Sequence, residues 1–387
     1  KKGNPSFSIN TYTGIAEVAN FTDLMSTEQY LEMRKEAYAN DGITNYPAQA
    51  FDINGTWDQS RDTDWQKEFL GNTSYFQDLN IRFNGGNAQT NFLLGSGLFA
   101  GDSDYDKASV LLNVNHASID KKFKADITVN YVLEENNLPV SDLTQTAATL
   151  APNAPEIFNS DGSLNWAGNT WGNPYAPILY ERYSAKTNNL LSNINLSFVV
   201  ANNLTLKGSF GYNEVQVKDK RYFPSTRYNP AANRDSRNSA VYMSNGERKS
   251  WIVEPQINYE NKWSKLSSNI LIGGTFQQEK STRLSYYGQG FPSNSQLDDI
   301  SAASTFRITD NLFSNYRYQA IFGRLNLNWD SKYILNLTGR RDGSSRFGED
   351  KRFANFGAIG LAWIFSKEDF FTKQSILSFG KLRGSFG

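Results

Sequence analysis

The residues best suited to binding a ligand lie in a short stretch between positions 165 and 183 of this 387-residue sequence. The stretch combines aromatic rings with amide side chains, in the order Asn165, Trp166, Asn169, Trp171, Asn173, Tyr175, Tyr180 and Tyr183. Flat rings stack on the apolar faces of sugars or peptides, and amides orient such ligands through hydrogen bonds. The same rings could instead pack a long loop against its surroundings. Both interpretations stay open, with Trp166, Trp171, Tyr175 and Tyr180 as the candidate substrate-binding residues.

Two adjacent arginines, Arg340 and Arg341, form a second candidate site at the entrance of a predicted loop. Their cationic side chains could contact a bound ligand there. The residues that follow, Gly343, Ser344 and Ser345, are typical of a solvated turn. The alternative is therefore an ordinary exposed loop with no ligand.

Enzymatic chemistry finds little support in the sequence. The adjacent carboxylates Glu134–Glu135 and Asp298–Asp299 invite comparison with glycosidases, which place two carboxyl groups around one bond. Neighbouring side chains of an extended chain point to opposite faces, so neither pair is suited to that task. The chain has no Cys and a single His, His116, which leaves few ligands for a zinc site and makes a Ser-His-Asp triad hard to assemble. We expect no catalytic residue, no metal and no cofactor.

Composition restricts the partners and the class of fold. The 39 basic residues balance 39 acidic ones, so the chain lacks the basic footprint of a nucleic-acid binder. It carries 26 Phe, 20 Tyr and 8 Trp but only 3 Met, a balance that favours sheet over helix. No apolar run approaches the roughly 20 residues of a spanning helix. A transmembrane barrel stays possible, because its strands show lipid only alternate side chains.

Most of the chain alternates apolar and polar residues with a period of two, which predicts about 13 strands. One helix is expected after Ser26, with Gln29 completing a capping box. The alternation places Leu204, Leu206, Phe210, Leu325, Leu327, Leu335 and Leu337 toward lipid. It places Lys207, Asn213, Asn326, Asn328 and Asn336 toward a lumen. An arginine at Leu206 is then expected to cost about 2–4 kcal/mol if that residue lies near the bilayer midplane.

The predicted connections alternate between short and long. Short turns are expected near 85–89, 117–121, 201–203, 261–264 and 330–332. Long loops are expected at about 17–74, 135–190, 224–238 and 288–315, with shorter ones near 100–106 and 344–352. Outer-membrane barrels show this asymmetry, and aromatic residues flank the short turns here as they do in an interfacial girdle. We therefore predict an all-β partial transmembrane antiparallel barrel whose long loops open on the cell exterior.

Three parts of the sequence carry a family resemblance. They are the opening Lys1–Lys2–Gly3, the segment Thr63–Asp64–Trp65–Gln66 ahead of a strand that ends Asn84–Gly85–Gly86, and the run LNLTGRRDGSSRFG from 335 to 348. That run is followed by Trp363, Ser366, Glu368, Phe370 and the closing KLRGSFG. Together they are similar to the SusC/RagA family of TonB-dependent outer-membrane transporters, over almost the whole chain.

The resemblance implies import of oligosaccharides or peptides across the outer membrane of a Gram-negative bacterium. It implies a SusD-like surface lipoprotein as a lid, TonB as the energy-coupling partner, surrounding outer-membrane lipid, and often a dimer of such pairs. It also implies that residues 1–387 are one barrel segment, starting at the plug-to-barrel junction of a barrel of about 22 strands. The plug, its TonB-binding segment and the C-terminal strands are then expected outside this chain, and no closed barrel within it.

Two other functions stay open at this stage. A SusC-like barrel could serve as a structural subunit of an envelope assembly without transport, which loss of the TonB-binding segment would favour. A secreted all-β carbohydrate-binding protein is the second alternative, which soluble monomeric behaviour would favour. The sequence does not distinguish a glycan from a peptide as substrate.

Overall fold

A computed structural model describes residues 3–101, 105–371 and 378–387, which form one antiparallel sheet of 13 strands paired in chain order. The strands are β1 Gly3–Ala16, β2 Ser74–Gly86, β3 Thr90–Gly101, β4 Tyr105–Ala117, β5 Phe123–Asn136, β6 Arg182–Ala201, β7 Leu204–Phe223, β8 Ala240–Trp263, β9 Leu266–Gln289, β10 Thr305–Trp329, β11 Tyr333–Ser344, β12 Phe353–Trp363 and β13 Leu382–Phe386. Within the described residues, β1 and β13 are not paired with each other. The predicted all-β sheet of about 13 strands is confirmed.

Strand register sorts the side chains onto two contrasting faces. One row of paired residues runs across seven strands and is apolar throughout: Phe92, Val114, Ile127, Ile194, Phe210, Val253 and Phe276. The neighbouring row, on the other face, is polar throughout: Asn91, Asn115, Asp126, Asn195, Ser209 and Glu254. We call these the apolar face and the polar face. The residues predicted for lipid and for the lumen lie on opposite faces, as expected from the alternation.

Aromatic residues line the apolar face beside the short turns. A single row there contains Trp263, Leu266, Trp329, Tyr333, Trp363 and Leu382. Trp263 and Trp329 are half exposed, at 50% and 52%. Amphipathic rings in such a row suit the boundary between hydrocarbon and water.

Among the described residues, four α-helices interrupt the long connections: α1 Thr27–Asn40, α2 Trp65–Leu70, α3 Thr144–Thr149 and α4 Ala176–Tyr180. The capping box that begins α1 is present, with Ser26 and Gln29 each bonded to the other's backbone N–H. The prediction of one helix was wrong in number, because α2, α3 and α4 have only five or six residues and show no apolar period. No helix in the described ranges is long and apolar enough to cross a bilayer.

The connections agree in order with those predicted but differ in extent. Residues 17–73 and 224–239 connect strands close to the predicted bounds. The other two long connections are 137–181 and 290–304, shorter than predicted because β5, β6 and β10 continue into the ranges assigned to loops. The shorter loop predicted at 100–106 includes residues 102–104, and the quoted opening motif includes Lys1 and Lys2; all five lie outside the described residues. One connection on the short-turn side, 364–381, is long.

The carboxylate of Glu368, in connection 364–381, ties that segment to the ends of β11 and β12. It accepts hydrogen bonds from the Tyr333 hydroxyl at 2.6 Å, the Trp363 indole N–H at 3.0 Å and the Lys332 ammonium at 3.1 Å. These donors, that of Tyr333 foremost, lower the pKa of Glu368 to about 2. The carboxylate is therefore charged and bonded at neutral pH.

Acidification is expected to release this tether. Because the folded-state pKa lies below the ordinary value of 4.5, the stabilisation is complete above that pH and is lost as the pH falls toward 2. Amide hydrogen exchange at 364–371, corrected for intrinsic rates, should accelerate over this interval. Glu368→Gln should exchange fast at every pH, whereas Glu349→Gln, in the exposed turn before β12, should behave like the unmodified protein. Unchanged protection in Glu368→Gln would contradict this assignment.

Candidate functional site

The aromatic residues predicted to bind substrate come together in one loop, where they surround a small buried core. Trp166, Trp171, Tyr175 and Tyr180 are half-buried and pack against that core, which consists of Trp65, Ala154, Ile157, Leu164 and Ala176. The Trp171 indole donates to the Asn165 carbonyl at 2.9 Å. The Tyr175 ring meets Phe158 edge-on at a centroid distance of 5.5 Å. Each ring is therefore partly packed and partly accessible.

The core joins connection 137–181 to connection 17–73, and we call the two together the loop cap. The Trp65 indole of α2 donates to the Ala151 carbonyl at 2.8 Å, and the buried Asn153 amide donates to the Asp52 carbonyl at 2.8 Å. The Trp57 indole donates to the Thr170 hydroxyl at 2.9 Å. These contacts span 86 to 113 residues of sequence, so the rings belong to an interface between two loops.

A partly buried ion pair holds α1 inside the loop cap. Arg34 Nε and the Tyr30 hydroxyl both donate to Asp52 Oδ2, at 2.7 and 2.9 Å. Burial pushes the pKa of the Asp52 carboxyl upward, but the two hydrogen bonds outweigh it and leave that pKa below its usual value. Burial and the adjacent carboxylate raise the pKa of Tyr30 to about 12. At neutral pH the group is therefore a carboxylate held by a guanidinium and a neutral phenol.

The structure separates Arg340 from Arg341, because adjacent residues of β11 point to opposite faces. Arg340 lies on the polar face, where its guanidinium donates to Asp342 at 2.5 Å and to the Tyr318 hydroxyl. Arg341 lies on the apolar face and stacks on Phe353, 5.1 Å from the ring centroid. Neither lies in the loop cap, so the two predicted binding sites are not one site.

A group of aromatic and arginine side chains at the loop end of the polar face was not predicted. One row of paired residues there reads Tyr183, Arg221, Tyr242, Tyr287 and Arg307. The Tyr242 and Tyr287 centroids lie 4.6 Å apart, and the Arg307 guanidinium lies 4.6 Å from the Tyr287 centroid. Tyr242 remains 44% exposed. The arrangement presents rings and cations together to solvent.

Further stacked pairs extend this row toward connection 224–239. Phe223 meets Tyr242 edge-on at 5.7 Å and lies 4.8 Å from the Arg221 guanidinium. Arg227 is placed between the rings of Phe223 and Tyr228, at 5.0 and 4.9 Å from their centroids. We call the whole group the mouth ladder; its members are Tyr183, Arg221, Phe223, Arg227, Tyr228, Tyr242, Tyr287 and Arg307. Rings with adjacent guanidinium groups can stack on a flat ligand and pair with its oxygens or carboxylates.

The mouth ladder is not predictable from the sequence, because its members come from five strands and a connection. Only the register brings Tyr242 beside Tyr287, 45 residues further along the chain. The sequence pattern predicts a loop at Arg307, whereas this residue lies in β10. The one available signal was the period-two spacing of Arg221 and Phe223, which places both on one face.

Sequence comparison finds relatives of this chain among TonB-dependent receptors. The chain is 24% identical over 413 residues to TonB-dependent receptor P3 of Formosa agariphila, covering all of this chain and 39% of that protein. It is 23% identical over 428 residues to TonB-dependent receptor SusC of Bacteroides thetaiotaomicron, covering 100% of this chain and 40% of that protein. No protein-family model matches the chain.

A solved structure, that of the RagAB peptide transporter, has the same fold. The superposition covers 98% of this chain and 46% of the matched chain in that structure, with a TM-score of 0.75 and 18% sequence identity. The chain is SusC/RagA-like. The SusC/RagA-like chain spans about two-fifths of the length of the curated relatives that it matches. The resemblance stated from sequence is thereby confirmed for this segment.

Proposed function

We propose that the complete protein is a TonB-dependent importer in the outer membrane of a Gram-negative bacterium, and that this chain is part of its barrel wall. The observation that carries the proposal is the contrast between the two faces of one continuous sheet. The apolar face suits lipid, and the polar face suits a lumen that a hydrophilic solute crosses. The long connections then open on the cell exterior and the short turns on the periplasm.

The proposed substrates are oligosaccharides or peptides, and the proposed partners are a SusD-like surface lipoprotein, TonB and a second copy of the pair. Similarity to SusC and to a structure of the RagAB peptide transporter supports this assignment. We propose no covalent chemistry, in keeping with relatives that are named as receptors and transporters. A purely structural barrel would differ in one measurable property, since it would not take up solute.

We further propose that substrate first contacts the mouth ladder. The ladder residues that belong to strands lie on the polar face, and Tyr242 and Arg221 are exposed. The rings of the loop cap, Trp166, Trp171 and Tyr175, are proposed to contact substrate or lipoprotein through their accessible parts, while their packed parts hold the cap together.

Alanine substitution is expected to separate these two roles. Tyr242→Ala in the complete transporter should weaken binding of a transported solute by about 1–3 kcal/mol, by analogy with bases stacked on aromatic rings. Trp171→Ala should instead loosen the loop cap, since it removes a packed ring and its bond to the Asn165 carbonyl. The measurements are binding and uptake across a panel of fluorescent oligosaccharides and peptides, beside surface abundance and protease sensitivity.

Trp329→Ala, in the aromatic row at the other end of the sheet, is the control for loss of a large exposed ring and should bind normally. Normal binding and uptake in Tyr242→Ala would remove the ladder from the proposal. No uptake of any solute by the unmodified protein, despite a functional TonB system, would favour the structural barrel.

A further inference from the structure

The apolar face changes character along the five longest strands, β6–β10. Near the short turns it is apolar and aromatic, and further toward the loops it becomes charged. Each of these strands carries a basic residue on this face at a similar distance from its short-turn end: Lys186, Lys218, Lys249, Lys280 and Arg317. We call these five residues the basic belt. Two further basic residues on this face lie nearer the loops and have partners there, Lys220 with Asp298 and Arg182 with the Tyr222 ring.

The belt lies at the height where a bilayer's headgroups begin. Its members are 12 to 15 residues from the strand ends at the short turns. A tilted strand crosses the hydrocarbon core with about 9–11 residues. Tyr212 and Trp251, a pair on the same face, lie on the short-turn side of the belt, six residues from Lys218 on β7 and two from Lys249 on β8, and suit the interface.

Strand register places like charges opposite each other within the belt. Lys186 is paired with Lys218, and Lys249 with Lys280. Directly opposed like charges destabilise a strand pair unless a counter-charge lies between them. Binding of an anion between these lysines would therefore reduce their repulsion and stabilise the strand pairs.

Carboxylates of the chain compensate the belt only in part. Glu135 lies 2.9 Å from the Lys186 ammonium, and Glu247 and Glu214 lie 2.7 and 3.4 Å from that of Lys249. In the part of the chain that the structure describes, Lys218, Lys280 and Arg317 have no carboxylate within 4.0 Å. Five cations thus face three carboxylates, and the exposed Lys218 and Lys280 are both uncompensated.

We propose that the basic belt binds the phosphate groups of phosphorylated glycolipids in the outer leaflet. The apolar face below the belt accommodates acyl chains while the ammonium groups pair with phosphates, so one lipid satisfies both parts of the surface. A free phosphate ion would gain nothing from the apolar part. The inference rests on the proposed outer-membrane location and adds a specific lipid partner to it.

The test uses the complete protein in phosphatidylcholine nanodiscs that contain diphosphorylated lipid A or its dephosphorylated form. The variant is Lys218→Gln with Lys280→Gln, and lipid A retained per protein is counted by mass spectrometry. The control, Lys207→Gln with Arg283→Gln, removes equal charge from the same strands on the polar face. We expect the belt variant to bind lipid A roughly tenfold or more weakly, since each lysine near an anionic surface contributes on the order of fivefold.

Lys218→Arg with Lys280→Arg should restore binding, which separates charge from a folding defect. Equal retention of lipid A by the belt variant and the unmodified protein would overturn the proposal, and so would equal retention of dephosphorylated lipid A. Uptake is measured separately. Failure of uptake with normal lipid A binding would overturn import while supporting the belt, and recovery of the protein outside the outer membrane would overturn both.

Discussion

Replacing Trp65 by alanine is expected to destabilise the loop cap by about 3–5 kcal/mol, the cost usual for deleting a buried tryptophan side chain. Trp65 is 3% exposed, stacks on Phe69 at a centroid distance of 5.4 Å and donates its indole N–H to the Ala151 carbonyl. Its loss leaves a cavity between two loops and removes one of the two hydrogen bonds that the Ala151 carbonyl accepts, the other coming from the Ala154 N–H at 2.9 Å. Faster hydrogen exchange and proteolysis within both 17–73 and 137–181 should report the effect.

Trp65→Phe is the matched control for this prediction. It keeps most of the ring volume but removes the indole N–H, so about 0.5–1.5 kcal/mol is expected from the lost hydrogen bond, since the Ala151 carbonyl still accepts from the Ala154 N–H. The strands should keep their protection in both variants, because the cap lies beyond them. Loosening of connection 17–73 alone would show that Trp65 does not hold the two loops together.

An arginine at Phe210 is expected to cost the complete barrel about 2–4 kcal/mol, because this residue lies on the apolar face in the middle of the membrane band, the stretch of each strand that is proposed to cross the bilayer. Its paired neighbours, Ile194 and Val253, are both apolar. Leu206, on the same face, lies close to the beginning of β7 and therefore near the interface. The cost expected there is about 0–1 kcal/mol, because the condition attached to the larger value, a position near the midplane, is not met.

Ser209→Arg is the control, since the adjacent residue points to the polar face opposite Glu254. It should be nearly neutral. The measurement is the free energy of unfolding by urea from lipid vesicles. Equal costs for Phe210→Arg and Ser209→Arg would reverse the assignment of the two faces.

The strands were predictable where water and lipid impose different demands on the two faces. Phe210 and Ser209 alternate because each face meets a different solvent. Beyond the membrane band both faces meet water, so apolar and polar residues no longer alternate regularly. The sequence pattern therefore predicts loops at residues 182–190 and 305–315, which are strands in the structure. Strand ends on the loop side were therefore misplaced, while the short turns were located well.

The candidate sites were less predictable, because they depend on contacts between distant residues. Trp65 belongs to a motif that the resemblance singled out, yet its partner Ala151 lies 86 residues away. The ring-rich stretch around Trp171 was found from its composition alone. Its packing against α2 could not be predicted in this way, because no local periodicity of the sequence relates the two loops to each other.

The loop cap also sets an order of events during folding. Each strand pairs with its neighbour in sequence, so the sheet can grow hairpin by hairpin with a small loop-closure cost at most steps. The cap is different, because β2–β5 separate its two halves along the chain. The part of the Trp65 surface that residues 151–176 cover therefore stays open until those residues, which follow β2–β5 in the chain, reach it. During that interval connection 17–73 exposes apolar surface of Trp65 that could associate with other chains.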